Sequence, residues 1–194
     1  MKIHLLSFNA RGYNEDAASR PGPDLVAIQE HKLRGTAVTS IGQRLWRHAP
    51  AFCLAVSPGY GHHLDTNGAG QGGVLTLLHP RWQRNIRDSG SIHDNKVQWT
   101  ILTGIPRDDI GFANVYAPND SLSRCLLWEE IARTLSRTCR WILMGDYYMV
   151  EQRGDKSRHC HTLMPSRERV LFDVLKDTLQ IEEHPRSSQS LKFS

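Results

Sequence analysis

The chain has 194 residues, of which 39% are apolar, 8% aromatic and 15 glycine, an ordinary globular make-up. A chain this long can bury a sizeable core without disulfide staples, which excludes disordered, collagen-like and coiled-coil classes. Its 24 Lys and Arg against 20 Asp and Glu leave a net charge of +4, too small to identify a polyanionic partner by itself.

No apolar run approaches the ~20 residues needed to cross a bilayer. At the N-terminus, Asn9 and Arg11 interrupt MKIHLLSFNARG before a signal-peptide core forms. A soluble intracellular protein with no membrane partner is expected. The only lysines are Lys2, Lys32, Lys96, Lys156, Lys176 and Lys192, so Arg dominates the cations, and its fork suits phosphate oxygens. Cys53, Cys125, Cys139 and Cys160 form no CxxC pair and read as reduced core thiols.

Ile3 to Phe8 reads as a strand, and Asp24 to Gln29 as a second, introduced by the Pro21-Gly22-Pro23 turn. Val38, Ile41 and Leu45 predict a helix over 36–47. Ala51 to Ser57, Gly73 to His79, Val97 to Ile105 and Gly111 to Tyr116 read as four more strands. A glycine-rich loop, Pro58 to Gln71, joins the first two of these. Ser121 to Arg137 carries Leu127, Ile131 and Leu135 as the apolar stripe of a surface helix. Trp141 to Met144 reads as a buried strand. Ser166 is placed to cap a last helix to about residue 178, with Val170, Leu171, Val174 and Leu175 on its core face. Four strands without an intervening helix argue against a purely parallel sheet. They predict an α/β architecture of two packed mixed sheets covered by helices, with no linker and no second domain. Leu191-Lys192-Phe193-Ser194 reads as the start of another strand, so the single domain over 1–194 is expected to lack its last strands.

Polar residues collect where strands stop: Asn9; Gln29 and Glu30; Tyr116, Asn119 and Asp120; Gly145 and Asp146. Each alone reads as a turn former, because Asn and Asp side chains bond nearby backbone N–H groups. As a set they resemble a ligand site at converging strand ends. An Asn, a Glu and an Asp supply hard oxygens of the kind Mg²⁺ takes, usually one or two carboxylates completed by water and phosphate.

SFNARG, PDLVAIQEHKL, GQGGVLTLLHP, NVYAPND and WILMGDYYMV, in that order, resemble the endonuclease/exonuclease/phosphatase superfamily, whose fold is DNase I-like. The longer run GDYYMVEQRGDKS is most similar to the endonuclease domains of LINE-type retrotransposons. The resemblance implies a four-layer α/β sandwich and Mg²⁺-dependent cleavage of phosphodiesters in DNA, with Mn²⁺ as the alternative ion and the nucleus as a compartment open to such a protein. It makes Glu30 the principal metal ligand, with Asn9 beside it. It makes Tyr116 the contact to the scissile phosphate, Asn119 its supporting amide, and Asp146 the group that orients or deprotonates the attacking water. A cation neutralises charge on the transition state, and a positioned carboxylate can take the water's proton. Arg11, His31, Lys32 and Arg34 flank the first two strand ends and are candidates to meet DNA phosphates, as is Tyr148.

Two departures bear on activity. The family motif is Gly-Asp-x-Asn, and Tyr148 stands where the Asn is expected; an amide both donates and accepts, whereas a phenol offers one donor on a bulky ring. The family also closes its site with a Ser-Asp-His, a tripeptide that this sequence does not contain. They motivate a second reading, an inert truncated copy that at most binds nucleic acid or metal. A phosphatase of small phosphoesters ranks third. His62, His63, His159, Cys160 and His161 fit no standard zinc spacing and read as loop residues. Gly72 and Gly73 are expected to allow close packing at a strand start. The glycine-rich loop has no P-loop GKS or GKT.

Overall fold

Ten strands and two α-helices follow one another in the computed structural model, which describes residues 2–10, 23–32, 52–56, 73–93, 96–105, 108–135, 137–148, 165–181 and 191–192. The strands are β1 (Lys2–Ile3), β2 (Leu5–Asn9), β3 (Leu25–Gln29), β4 (Phe52–Val56), β5 (Val74–Leu78), β6 (Ile86–Ile92), β7 (Val97–Leu102), β8 (Ile110–Tyr116), β9 (Arg140–Asp146) and β10 (Leu191–Lys192). The helices are α1 (Ser121–Thr134) and α2 (Ser166–Leu179), and a 3-10 turn covers Pro80–Asn85. The helix expected over 36–47 lies outside the described residues.

Two four-stranded mixed sheets form the body, in the orders β2-β3-β5-β4 and β6-β7-β8-β9. β1 pairs antiparallel with β10, so Leu191 and Lys192 do enter a strand. Among the described residues each large sheet has one parallel pair, β2 with β3 and β8 with β9, and its other pairs are antiparallel. The sheets pack face to face, with β2 and β3 against β8 and β9. Opposing the two parallel pairs brings four strand C-termini to one rim.

Side chains alternate across a strand, and this alternation builds the interior. Leu5, Leu25, Ala27, Leu78, Leu102, Ile110, Phe112, Ile142 and Met144 make the apolar core between the sheets. Farther along the same inner faces stand Ser7 and Asn9, Gln29, Asn114 and Tyr116, and Asp146, so the interior turns polar towards the rim. Gln29 Nε2 donates to Asn114 Oδ1 at 2.6 Å, and Asn114 Nδ2 donates to Thr76 Oγ1 and to the Leu75 carbonyl, both at 3.1 Å. Gln98 Nε2 donates to the Val74 carbonyl at 2.9 Å. Fully buried amides of this kind hold a unique register only when they find partners, as these donors do.

α1 and α2 cover the other face of the second sheet. Leu127, Ile131 and Leu135 of the expected stripe, with Trp128 beside them, meet Val97, Ile101, Ala113 and Val115, together with Leu175 and Leu179 of α2. Cys125 and Cys139 are buried cysteines outside any disulfide, as the composition suggested. No described helix is long and apolar enough to cross a membrane.

Three local expectations are corrected. The face of α2 holds at Leu175 and in part at Leu171 but is rotated: Val170 and Val174 are 61% and 49% exposed, whereas Glu168 and Leu179 are buried and Phe172 partly so. Residues 168, 172, 175 and 179 lie at helical spacing, and an ion pair sets this rotation. Arg124 Nε bonds Glu168 Oε1 at 2.5 Å and Nη2 bonds Oε2 at 3.0 Å, while the Ser121 hydroxyl donates to Oε2 at 2.7 Å. Pro165, not Ser166, precedes the first turn of α2, and no side chain caps it. β6 was not anticipated because IRDSGSI is polar and mostly exposed; its ladder with β7, and Gly90 seated beneath the Trp99 ring, hold it as an edge strand.

Breaking the buried pair tests what sets α2. Arg124→Ala strands the Glu168 carboxylate and is expected to cost about 3–5 kcal/mol, whereas Arg124→Met combined with Glu168→Leu should cost far less. Urea denaturation measures both, and equal losses would mean that charge is not the controlling feature.

Candidate active site

The rim formed by the four strand ends gathers most of the polar residues singled out in the sequence. Asn9, the last residue of β2, donates from Nδ2 to Asp146 Oδ2, at the end of β9, over 2.5 Å. The register places Asn9 beside Gln29 in one sheet and Tyr116 beside Asp146 in the other. The Ala10 N–H donates to the Gln29 carbonyl at 2.8 Å, and the Ala117 N–H to the Asp146 carbonyl at 2.9 Å, so both parallel ladders stay paired to the rim.

Glu30 follows β3 directly. In an unbroken strand it would share the outer face with Val26 and Ile28. Its φ of 53° instead ends the strand at the rim, where its mostly buried carboxylate lies 3.2 Å from Lys32 Nζ. Lys32 and Tyr148 have φ values of 55° and 49°. Left-handed backbone is uncommon for residues with a Cβ and clusters at functional sites; three of the five non-glycine examples among the described residues stand here.

The Gly-Asp pair at the end of β9 has a steric cause. Gly145 has φ 151°, and a Cβ there would lie 1.9 Å from the Val115 carbonyl oxygen. Only glycine lets β9 press this closely on β8 and still present Asp146. On the helix side Tyr147 packs 6.0 Å from Trp128 and 6.1 Å from Phe172, ring centre to ring centre, fixing the residue after the carboxylate. Asp146 Oδ1 accepts from the Tyr148 N–H at 3.3 Å.

Tyr116 stands at the centre of this group. Its hydroxyl is 3.4 Å from that of Tyr148, and the two rings meet edge to face at 5.7 Å. Lys96 Nζ lies 5.0 Å from the Tyr116 ring centre, and the Lys96 carbonyl accepts the Tyr116 N–H at 2.8 Å. The phenol is pushed well above its ordinary 10.0, first by burial, then by the Tyr148 hydroxyl and by the negative charges of Glu30 and Asp146. Both carboxylates therefore act on one phenol, which keeps its proton throughout the neutral range.

The remaining candidates fall elsewhere. Asn119 is exposed, and its carbonyl accepts from Arg124 Nη1 at 2.6 Å. Asp120 caps α1 by accepting the Ser123 N–H at 2.8 Å, which holds its carboxyl below the ordinary range. His31 is wholly buried and so no phosphate contact: Gly73, at φ 95°, lies against its ring, and a Cβ there would come within 2.5 Å of Nε2. Arg11, Arg34, Gly72, His62, His63, His159, Cys160 and His161 lie outside the described residues. Lys96 and Asn114 were not singled out from sequence, and Gln29 only as a strand-end residue, although polar residues on the inward parity of apolar strands signal such a network.

Glu30, Asn9 and Asp146 offer two carboxylates and an amide, all hard oxygen donors. No cluster of three Asp, Glu, His or Cys groups able to hold a metal occurs among the described residues. That composition suits Mg²⁺, which keeps water and substrate oxygens rather than filling an all-protein cage, and it does not suit zinc.

No family model matches the sequence, and no curated protein matches it. Solved structures do. An AP endonuclease from Leishmania major superposes with a TM-score of 0.62 at 14% identity, over 92% of this chain and 67% of that one. A 3′-5′ exonuclease from Neisseria meningitidis gives 0.59 at 17% identity, over 92% and 71%. The endonuclease domain of TRAS1, a telomere-specific non-LTR retrotransposon, gives 0.53 at 11% identity, over 92% and 73%. The fold is DNase I-like. Two mixed sheets, packed with their parallel pairs opposed and with the described helices over the second, are the DNase I-like sandwich that the sequence motifs led one to expect.

The Tyr116 environment has a pH signature. The folded state holds this proton more tightly than the unfolded chain does. The stability it contributes is therefore complete below 10.0 and is lost as the pH rises beyond it. Tyr116→Phe is expected to flatten the alkaline fall in stability, followed by urea unfolding at a series of pH values; an unchanged slope would contradict the assigned environment.

Proposed function

We propose that this chain is a nuclease-type domain of retroelement origin that hydrolyses phosphodiester bonds in DNA with Mg²⁺ as cofactor. The observation that carries the reading is the Asn9–Asp146 bond across the two sheets, with Glu30 and Tyr116 on the same rim. The superposed AP endonuclease and retrotransposon endonuclease domain lend it support at the level of fold.

Glu30 and Asn9 would hold the metal, displacing the Lys32 ammonium from the Glu30 carboxylate. Bound there, Mg²⁺ would supply charge neutralisation at the phosphate and leaving oxygen. Asp146 has Oδ2 committed to Asn9 and Oδ1 in only a long contact, so Oδ1 is the oxygen suited to orient a water and accept its proton. Tyr116, kept protonated, would donate to a non-bridging phosphate oxygen. Asn119 would support this loop through Arg124, and Lys32, Tyr148 and Arg11 would meet the DNA strand.

A second reading is an inert copy that at most binds nucleic acid or metal. Tyr148 favours it, since its ring stands against Tyr116 where the family pattern has an amide. Supercoiled-plasmid nicking with Mg²⁺ separates the two. The wild-type chain is expected to nick, and Glu30→Ala and Asp146→Ala to reduce the rate by about 10²-fold or more. Nicking that survives both substitutions would remove these carboxylates from the mechanism; DNA binding by a wild-type chain that never nicks would establish the inert reading.

A further inference from the structure

Tyr148 is the one large aromatic side chain among the strongly exposed apolar residues described, at 40% exposure, and it sits at the candidate active site. Its φ of 49° is an unfavourable backbone for a tyrosine. Two contacts nevertheless fix it there: its N–H donates to Asp146 Oδ1, and its ring stands edge to face against Tyr116 at 67° between planes. Among the described residues the side chain stays 40% exposed, so core packing does not account for it. Lys96 lies against the same Tyr116 ring, so a cation and an exposed phenol share one buttressing phenol, at 5.0 and 5.7 Å from its ring centre.

We infer that this group is a subsite for unpaired DNA, in which the Tyr148 ring stacks on a nucleobase and Lys96 meets a backbone phosphate. The inference rests on the nucleic-acid part of the proposed function and deepens it by naming the substrate class. Single-strand binding proteins pair the same two elements, an aromatic platform that accepts any base and a cation that follows the backbone. A base inside a duplex has both faces covered by its neighbours, so a fixed ring selects bases that are unpaired, bulged or at a strand end. The tyrosine that displaces the family amide thus has a positive use.

Fluorescence anisotropy of labelled single-stranded and duplex oligonucleotides, without divalent metal, tests this. Wild-type protein is expected to prefer the single strand. Tyr148→Phe keeps the ring and should keep that preference. Tyr148→Asn removes the ring while suiting the left-handed backbone, and should weaken single-strand binding by about five- to hundredfold with little change for duplex. Lys96→Gln should reduce the slope of log affinity against log salt by about 0.7 for the single strand. Equal binding of both forms, or a Phe variant as impaired as the Asn variant, overturns the inference. A wild-type chain that nicks plasmid yet ignores Tyr148 overturns it alone. A chain that binds the single strand through Tyr148 but never nicks sustains it and removes the catalytic reading.

Discussion

One hydrogen bond organises the candidate site: Asn9 Nδ2 to Asp146 Oδ2, between residues 137 apart in sequence and on different sheets. It can form only if both sheets are complete to their last residue and face each other in one relative setting. The parallel ladders supply that setting, because each brings two strand ends level and the packing of one pair over the other stacks the four ends at one rim. Its carboxylate acceptor and partly buried position make it expensive to leave unmade. It thereby couples the fold to the chemistry: an error of one residue in the register of β2 or β9 would turn one of the partners to the opposite face.

The polar interior beneath the rim serves the same end. Gln29 and Asn114 span the sheets below Asn9 and Asp146, and the Leu75 carbonyl and the Thr76 hydroxyl accept from the Asn114 amide. Apolar residues in these places would pack as well but would tolerate sliding, whereas a chain of directional bonds does not. Gly145 extends the constraint, since its missing side chain lets the β9 backbone close on β8. The left-handed residues Glu30, Lys32 and Tyr148 then mark where regular structure is abandoned to aim side chains at a shared space.

Much of this was legible in the sequence. Counting by twos along LLSFN, LVAIQ, IGFANVY and WILMGD leads each inner face from apolar residues to a polar terminus, and those termini are the ones that meet. The helix stripe of Leu127, Ile131 and Leu135 obeyed its 3.6-residue period for the same reason, that one face dominates. What could not be read depended on partners distant in the chain. The face of α2 is chosen by Arg124, whose pull on Glu168 outweighs the apolar count of Val170 and Val174. His31, surrounded in sequence by charged residues, is buried because Gly73 opens a place for its ring. β6 exists through pairing alone, its own composition giving little sign of a strand.

The central claim is that Glu30, Asn9 and Asp146 line a single pocket that takes one hydrated divalent ion. A crystal of the protein soaked in Mn²⁺, with anomalous scattering collected at the manganese edge, addresses it directly. The account requires a peak within about 2.0–2.6 Å of a Glu30 carboxylate oxygen, with Asn9 and Asp146 around the same ion and Lys32 moved aside. A map in which Lys32 still holds Glu30 and manganese scatters elsewhere, or nowhere, would contradict it.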